Sequence, residues 1–189
     1  MNPAGSVWHR FGWRFLLLML LLLLPELALL SCPAAAAHQA DLVVVLGGGD
    51  GARFARGREL VQAGFSSRLV LIEPTVAERQ DALATLPFVE IWDDVTPANS
   101  WGEAQMTRAR MQSRDWRTVL VVSDPPHLLR LQYAWFSSFL GSGLAYTLIA
   151  SNPPWWHPWR WWQNPQSARF VESEVLKLGY YLLHYRFGL

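Results

Sequence analysis

The sequence has little cysteine, little lysine and almost no net charge. Cys32 is the only cysteine among 189 residues, so no disulfide can form within the chain. The formal net charge is +1, and without a basic excess we expect no binding to nucleic acid. Lys177 is the only lysine, so arginine supplies nearly all of the positive charge. The strict G-x-G-x-x-G dinucleotide fingerprint and the Walker phosphate loop are also absent.

An apolar run near the N-terminus predicts contact with a membrane. Basic residues precede residues 15–30, a run interrupted only by Pro25 and Glu26. Basic flanks stay on the cytoplasmic side, so we expect residues 38–189 to form one domain on the periplasmic side of the plasma membrane. Residues 1–37 are then a signal peptide or a membrane anchor. Retention of the run, cleavage after the alanines at 35–37 and lipidation at Cys32 all stay open.

A strand, a glycine-rich turn and a helix follow this segment. Residues 42–46 are continuously apolar, which is typical of a strand buried on both faces. Glycines at 47, 48, 49 and 51 come next, and residues 52–63 read as a helix that ends before Gly64. A helix N-terminus behind a glycine turn suits an anion such as phosphate. The alternative is a tight turn without a ligand.

Strands and helices alternate along the rest of the chain. This alternation predicts an α/β fold: a Rossmann-like, doubly wound, mainly parallel sheet of five strands, placed behind the hydrophobic segment. The predicted strands are residues 42–46, 68–72, 88–92, 118–122 and 144–149, and the predicted helices are residues 52–63, 76–86, 100–114, 127–140 and 166–186.

Polar residues follow three of the predicted strands and should meet at the carboxyl edge of the sheet, where such sheets bind ligands. His127 and Glu103 are the candidate acid–base residues, and the helix start at His127 favours a neutral imidazole. Local alternatives exist: Asn99 and Ser100 as helix caps, Glu103 in a capping box and Asp124 as a turn former. The candidate ligand-binding residues are Gly47, Gly48, Gly49, Asp50, Arg53, Asn99, Ser100, Ser123, Asp124 and Arg130.

Residues 153–162, PPWWHPWRWW, carry five of the 11 tryptophans. The prolines exclude a regular helix here and predict a loop. Three interpretations compete: indoles packed against the terminal helix, a loop that faces the membrane or covers the ligand crevice, and a patch for a protein partner.

The motifs DLVVVLGGG, N-S-W-G-E-A, VLVVSDPPHLLR and E-x-x-x-L-G-Y-Y resemble the bacterial envelope family typified by SanA, ElyC and YdcF. The resemblance covers about residues 41–181. It implies a Rossmann-like domain behind N-terminal membrane segments. Residues that take the family's motif positions are Gly47, Gly48, Arg53, Asn99, Ser100, Glu103, His127, Arg130 and Glu174.

The resemblance also implies a function in cell-envelope or peptidoglycan-precursor metabolism. The expected ligand is anionic, either phosphorylated, nucleotide-like or lipid-linked, and one family member is associated with S-adenosylmethionine. The alternative is a non-catalytic envelope factor that docks on a membrane or a protein through its tryptophan-rich loop. The chain departs from the family in two places: Glu73-Pro74-Thr75 replaces a Ser-Gly-Gly turn, and Gly102 replaces a glutamate.

Overall fold

The computed structural model describes residues 12–14, 34–94 and 96–185. The predicted hydrophobic segment, residues 15–30, and Cys32 lie outside the described residues. No helix in the described part of the chain is both long and apolar enough to cross a bilayer.

The described residues include five strands that form a single sheet: β1 (Leu42–Val45), β2 (Leu69–Ile72), β3 (Val89–Trp92), β4 (Thr118–Ser123) and β5 (Ala145–Ala150). Their order in the sheet is β3-β2-β1-β4-β5, and every pair of neighbours is parallel. The predicted α/β class and five-stranded parallel sheet are therefore confirmed.

Helices cover both faces of the sheet, which explains the continuous apolar runs in the strands. Along β1, Leu42 and Val44 join one core cluster, and Val43 and Val45 join the other. The helices are α1 (Ala52–Gln62), α2 (Val76–Thr85), α3 (Ser100–Ser113), α4 (Leu128–Phe139) and α5 (Pro165–His184). The first cluster includes residues of α3, α4 and α5, and the second includes residues of α1 and α2.

Two local features explain how closely α1 packs on the sheet and where α2 begins. A Cβ on Gly57 would lie 2.3 Å from Cγ2 of Val45, so the glycine lets α1 lie close against β1. Thr75 and Glu78 form a reciprocal capping box at the start of α2, which the sequence analysis did not predict. The capping box considered for Glu103 does not form: Asn99 caps the N–H groups of Trp101 and Gly102, but the Glu103 side chain makes no return bond to the backbone of Asn99 in the described structure.

Candidate functional site

A cleft of about 510 Å³ opens at the carboxyl edge of the sheet. It lies beside the ends of β1 and β4, where the strand order reverses, and this is the position at which open α/β sheets bind ligands. Its lining comprises Gly47, Arg53, Glu73, Pro97, Ala98, Asn99, Ser100, Glu103, His127, Arg130, Phe170, Glu174, Lys177 and Tyr181.

The N-terminus of α3 forms one wall of the cleft. Asn99 caps the helix through its Oδ1, which accepts hydrogen bonds from the backbone N–H groups of Trp101 (3.0 Å) and Gly102 (3.1 Å). Its Nδ2 donates to the Tyr185 hydroxyl at 3.0 Å. The capping interpretation of Asn99 is therefore correct. Ser100 is the first helical residue and is buried, with its side chain on the cleft.

Arg130 on α4 is the centre of a buried hydrogen-bond network. Its Nε donates to Oε2 of Glu174 at 2.7 Å, and Nη2 donates to Oε1 of Glu174 at 3.2 Å and to Nε2 of His127 at 2.7 Å. Its Nη1 donates to Oγ of Ser100 at 3.0 Å and to the Tyr181 hydroxyl at 3.2 Å. A guanidinium has five N–H donors, so all of them have partners within the protein.

The network fixes the tautomer of His127. Arginine only donates, so Nε2 of His127 accepts and Nδ1 carries the proton, which it donates to Oγ of Ser123 at 2.9 Å. Burial, and then the positive charges of Arg130, Arg53 and Lys177, hold the pKa of the imidazole well below its ordinary 6.5. The predicted neutral imidazole is confirmed, but burial and neighbouring cations cause it.

Glu103, one turn into α3, is a buried carboxyl group on the cleft. Burial raises its pKa, while a hydrogen bond from the Ser100 hydroxyl and the charges of Arg53 and Arg130 oppose that rise. A carboxyl group with a raised pKa is a better general base than an exposed one.

Arg53, which lines the cleft, and Asp124, which does not, form a second buried cluster. Oδ2 of Asp124 accepts from Nε of Arg53 at 2.9 Å and lies 2.7 Å from its Nη2. Oδ1 accepts from the Ser151 hydroxyl at 2.6 Å, and Arg53 also donates to the Gly47 carbonyl. The prediction that Asp124 only forms a turn is wrong, because its buried side chain neutralises Arg53.

The glycine turn lies mostly outside the cleft. Gly47 lines the cleft, whereas Gly48 and Gly49 are exposed, with φ of 78° and 97° that a side chain would strain. Asp50 places its own carboxylate at the start of α1: Oδ1 accepts from the Ala52 N–H at 3.3 Å and Oδ2 from Nε1 of Trp155 at 2.7 Å. A protein carboxylate thus takes the place expected for a bound anion.

Several residues that line the cleft are not among the candidates predicted from the sequence. Lys177 and Tyr181 line the cleft from α5, and Lys177 lies 50 residues beyond His127 in the chain. Glu73 follows β2 and has a positive φ of 48°. Tyr181 belongs to the E-x-x-x-L-G-Y-Y motif, but the motif alone does not show that Tyr181 reaches the cleft, because this depends on how α5 packs. The candidates Gly48, Gly49, Asp50, Ser123 and Asp124 are not part of the cleft lining.

The site carries no sign of a metal centre in the described part of the chain, where no group of three or more histidine, cysteine, aspartate or glutamate side chains is placed to hold an ion.

Comparison of the chain with protein-family models, with curated proteins and with solved structures gave no match. The family resemblance of the motifs therefore stays a prediction.

Proposed function

We propose that this chain is a membrane-associated envelope protein of the SanA/ElyC/YdcF type, whose α/β domain binds a small anionic ligand in the cleft. The observation that carries this proposal is the exposure of the Lys177 side chain, which lines the cleft. Its ammonium lies 3.0 Å from Oε1 of Glu174, and 53% of its side chain is exposed. All three cations of the cleft bond to carboxylates, but Arg53 and Arg130 are buried, so among the described residues that line the cleft Lys177 is the most accessible cation.

Two further features favour an anion here. The N-terminus of α3 forms one wall of the cleft and places the positive end of a helix dipole there. The volume of the cleft is in the range of small-molecule sites. The resemblance adds the ligand class: a phosphorylated, nucleotide-like or lipid-linked envelope precursor.

Glu73 is the residue that would recognise a nucleoside part. A carboxylate after the second strand contacts the ribose hydroxyls in Rossmann-like dinucleotide sites, and Glu73 occupies that position on the cleft. The same contact fits the ribose of a nucleotide or of S-adenosylmethionine.

The test is binding of uridine diphosphate, of inorganic phosphate and of undecaprenyl phosphate in detergent, measured by thermal shift and calorimetry. Lys177→Gln should weaken binding about ten-fold, which corresponds to about 1.4 kcal/mol. Arg169→Gln is the matched control, because it removes one charge from an exposed position of α5 outside the cleft. Equal affinity for the two variants, or no binding of any of the three compounds, would contradict the proposal.

A second candidate function is docking on an anionic membrane surface through the tryptophan-rich loop. Trp155 is buried, stacks on Phe170 with ring centroids 5.4 Å apart, and belongs to the core. Trp159 and Trp162 are instead 82% and 59% exposed, on either side of exposed Arg160. Exposed indoles beside an arginine suit a membrane interface with anionic lipids.

Liposome flotation of a chain that starts at residue 34 tests this candidate. Trp159→Ser with Trp162→Ser should abolish binding to anionic vesicles. Leu83→Ser with Phe88→Ser is the control, since both side chains are comparably exposed, at 59% and 65%, outside the loop. If the two double variants bind vesicles equally well, the loop has no part in docking.

A further inference from the structure

The Ser100 hydroxyl has an environment that a helix cap does not require. Asn99 already caps α3, and Ser100 is 5% exposed with its side chain on the cleft. Its Oγ accepts from Arg130 at 3.0 Å and lies 3.1 Å from Nε2 of His127. Glu103 lies three residues further along α3, on the same side of the helix, and is a second buried residue that lines the cleft beside Ser100. A hydroxyl between a fixed cation and two proton acceptors is the arrangement of an activated nucleophile.

We propose that Ser100 is a nucleophile that attacks the phosphorus of a phosphoester bound in the cleft, with Glu103 as the base that takes its proton. This inference rests on the proposed function, because it requires the ligand to be phosphorylated.

Arg130 is the group that lowers the energy of the serine alkoxide. Its Nη1 points at Oγ, and a positive charge at that distance favours the deprotonated oxygen. Its bonds to Glu174 and Tyr181 hold the guanidinium in place, so little reorganisation is needed when the negative charge develops. The N-terminus of α3 lies at the same oxygen and adds to this stabilisation.

The choice of base follows from the charges around the two acceptors. Nε2 of His127 already accepts from Arg130, and an imidazolium there would lie beside that guanidinium and near Arg53 and Lys177. Protonation of His127 is therefore unfavourable.

Protonation of Glu103, by contrast, removes a buried negative charge. The groups that line the cleft with it and act on its pKa are Ser100 on its own helix, Arg53 on α1, Arg130 on α4 and Glu73 after β2. Glu103 is thus the better proton acceptor of the two.

The step is a substitution at phosphorus. A bond forms between Oγ of Ser100 and phosphorus, and the bond from phosphorus to the leaving oxygen breaks. The hydroxyl proton moves to Glu103, which then gives it to the leaving oxygen. Water then attacks the phosphorus of the phosphoserine: a bond from the water oxygen to phosphorus forms, the bond from phosphorus to Oγ of Ser100 breaks, and one water proton passes through Glu103 to Oγ, which releases the phosphate and restores the hydroxyl. No redox partner is needed, and His127 acts as a positioning residue that holds Ser100 and Arg130.

The experiment is labelling of the full chain with a fluorophosphonate, which reacts at phosphorus with loss of fluoride. Intact mass should show one adduct, and peptide mapping of the wild-type chain should place it on Ser100. Ser100→Ala should lose the adduct, whereas Ser67→Ala, at an exposed turn residue before β2, should label like wild type. The labelling rate should fall at least ten-fold in Glu103→Gln and less in His127→Gln.

Circular dichroism checks that each variant is folded, and the wild-type map does not depend on any variant. A peptide map of the wild-type chain without an adduct on Ser100 would overturn the assignment of Ser100 as the nucleophile. A fall in labelling rate in His127→Gln as large as the fall in Glu103→Gln would overturn the assignment of Glu103 as the base. If uridine diphosphate or phosphate binds in a Lys177-dependent way but Ser100 stays unlabelled, the inference fails while the proposed function stands. If neither binding nor labelling occurs, both fail.

Discussion

The described part of the chain contains two buried arginine–carboxylate pairs, and they differ in what surrounds them. Arg53 lines the cleft, but its partners are Asp124 and a backbone carbonyl, and Asp124 in turn bonds to Ser151, which is outside the cleft lining. Arg130 and Glu174 are equally buried, but Arg130 also bonds to a serine hydroxyl and an imidazole that face the cleft. The same kind of pair therefore supports the fold in one place and positions reactive groups in the other.

The largest expected effect comes from breaking the first pair. Arg53→Met leaves the Asp124 carboxylate buried without its partner, and we expect a loss of about 3–5 kcal/mol in the free energy of unfolding. Urea denaturation followed by circular dichroism measures it. Adding Asp124→Leu should recover most of the loss, because the unpaired charge is then gone. A double variant as unstable as Arg53→Met would show that the pair is not the cause.

His127 should have a smaller effect, on how the free energy of unfolding depends on pH. Its pKa is lowered in the folded state, so below 6.5 the unfolded chain binds a proton that the folded chain does not. Stability is then lost as the pH falls from 6.5 towards the lowered pKa, by at most about 1.4 kcal/mol per pH unit.

The measurement is urea denaturation of wild type and His127→Gln between pH 7.5 and 5.0. Carboxylates such as Asp41 and Glu90, whose pKa values are lowered, also reduce stability in acid, but they do so in both proteins. The difference in the free energy of unfolding between wild type and His127→Gln should therefore become smaller as the pH falls below 6.5. A difference that stays constant with pH would mean that the pKa of His127 is not lowered in the folded state.

Glu103→Gln should give the smallest effect and the opposite sign. The pKa of Glu103 is raised, so the cost of burying its charge appears as the pH rises through the folded-state pKa and is absent in acid. An amide avoids that cost, and we expect Glu103→Gln to be more stable than wild type by about 1 kcal/mol at pH 8. At pH 4 the two proteins should be equal. A variant less stable than wild type at pH 8 would show that the ionised carboxylate supports the fold.

Much of the fold could be predicted from the sequence, and the reason is physical. Strands buried on both faces give runs such as residues 42–46 and 118–122, and glycine or capping residues such as Gly64 and Asn99 mark the helix ends. The rule that parallel sheets bind ligands at the carboxyl ends of their strands then predicts one shared edge for Asn99, Ser100, Glu103, His127 and Arg130.

The pairing of the charges could not be predicted in the same way. Arg53 lines the cleft as predicted, but its buried guanidinium also bonds to Asp124, 71 residues away, and only the packing of α1 beside β4 decides this. Asp50 was likewise expected at a ligand, but its carboxylate accepts from the start of α1 and from Trp155. Local sequence shows that a residue is polar and lies at the edge, but not whether its partner is the protein or a ligand.

The most direct test of the central claim is a crystal structure of the domain with uridine diphosphate. The account predicts phosphate density in the cleft, within hydrogen-bond distance of Nζ of Lys177 and at the N-terminus of α3 beside Ser100. Density at the Gly48–Gly49 turn, with Asp50 displaced from the start of α1, would contradict it and would restore the glycine turn as the anion site.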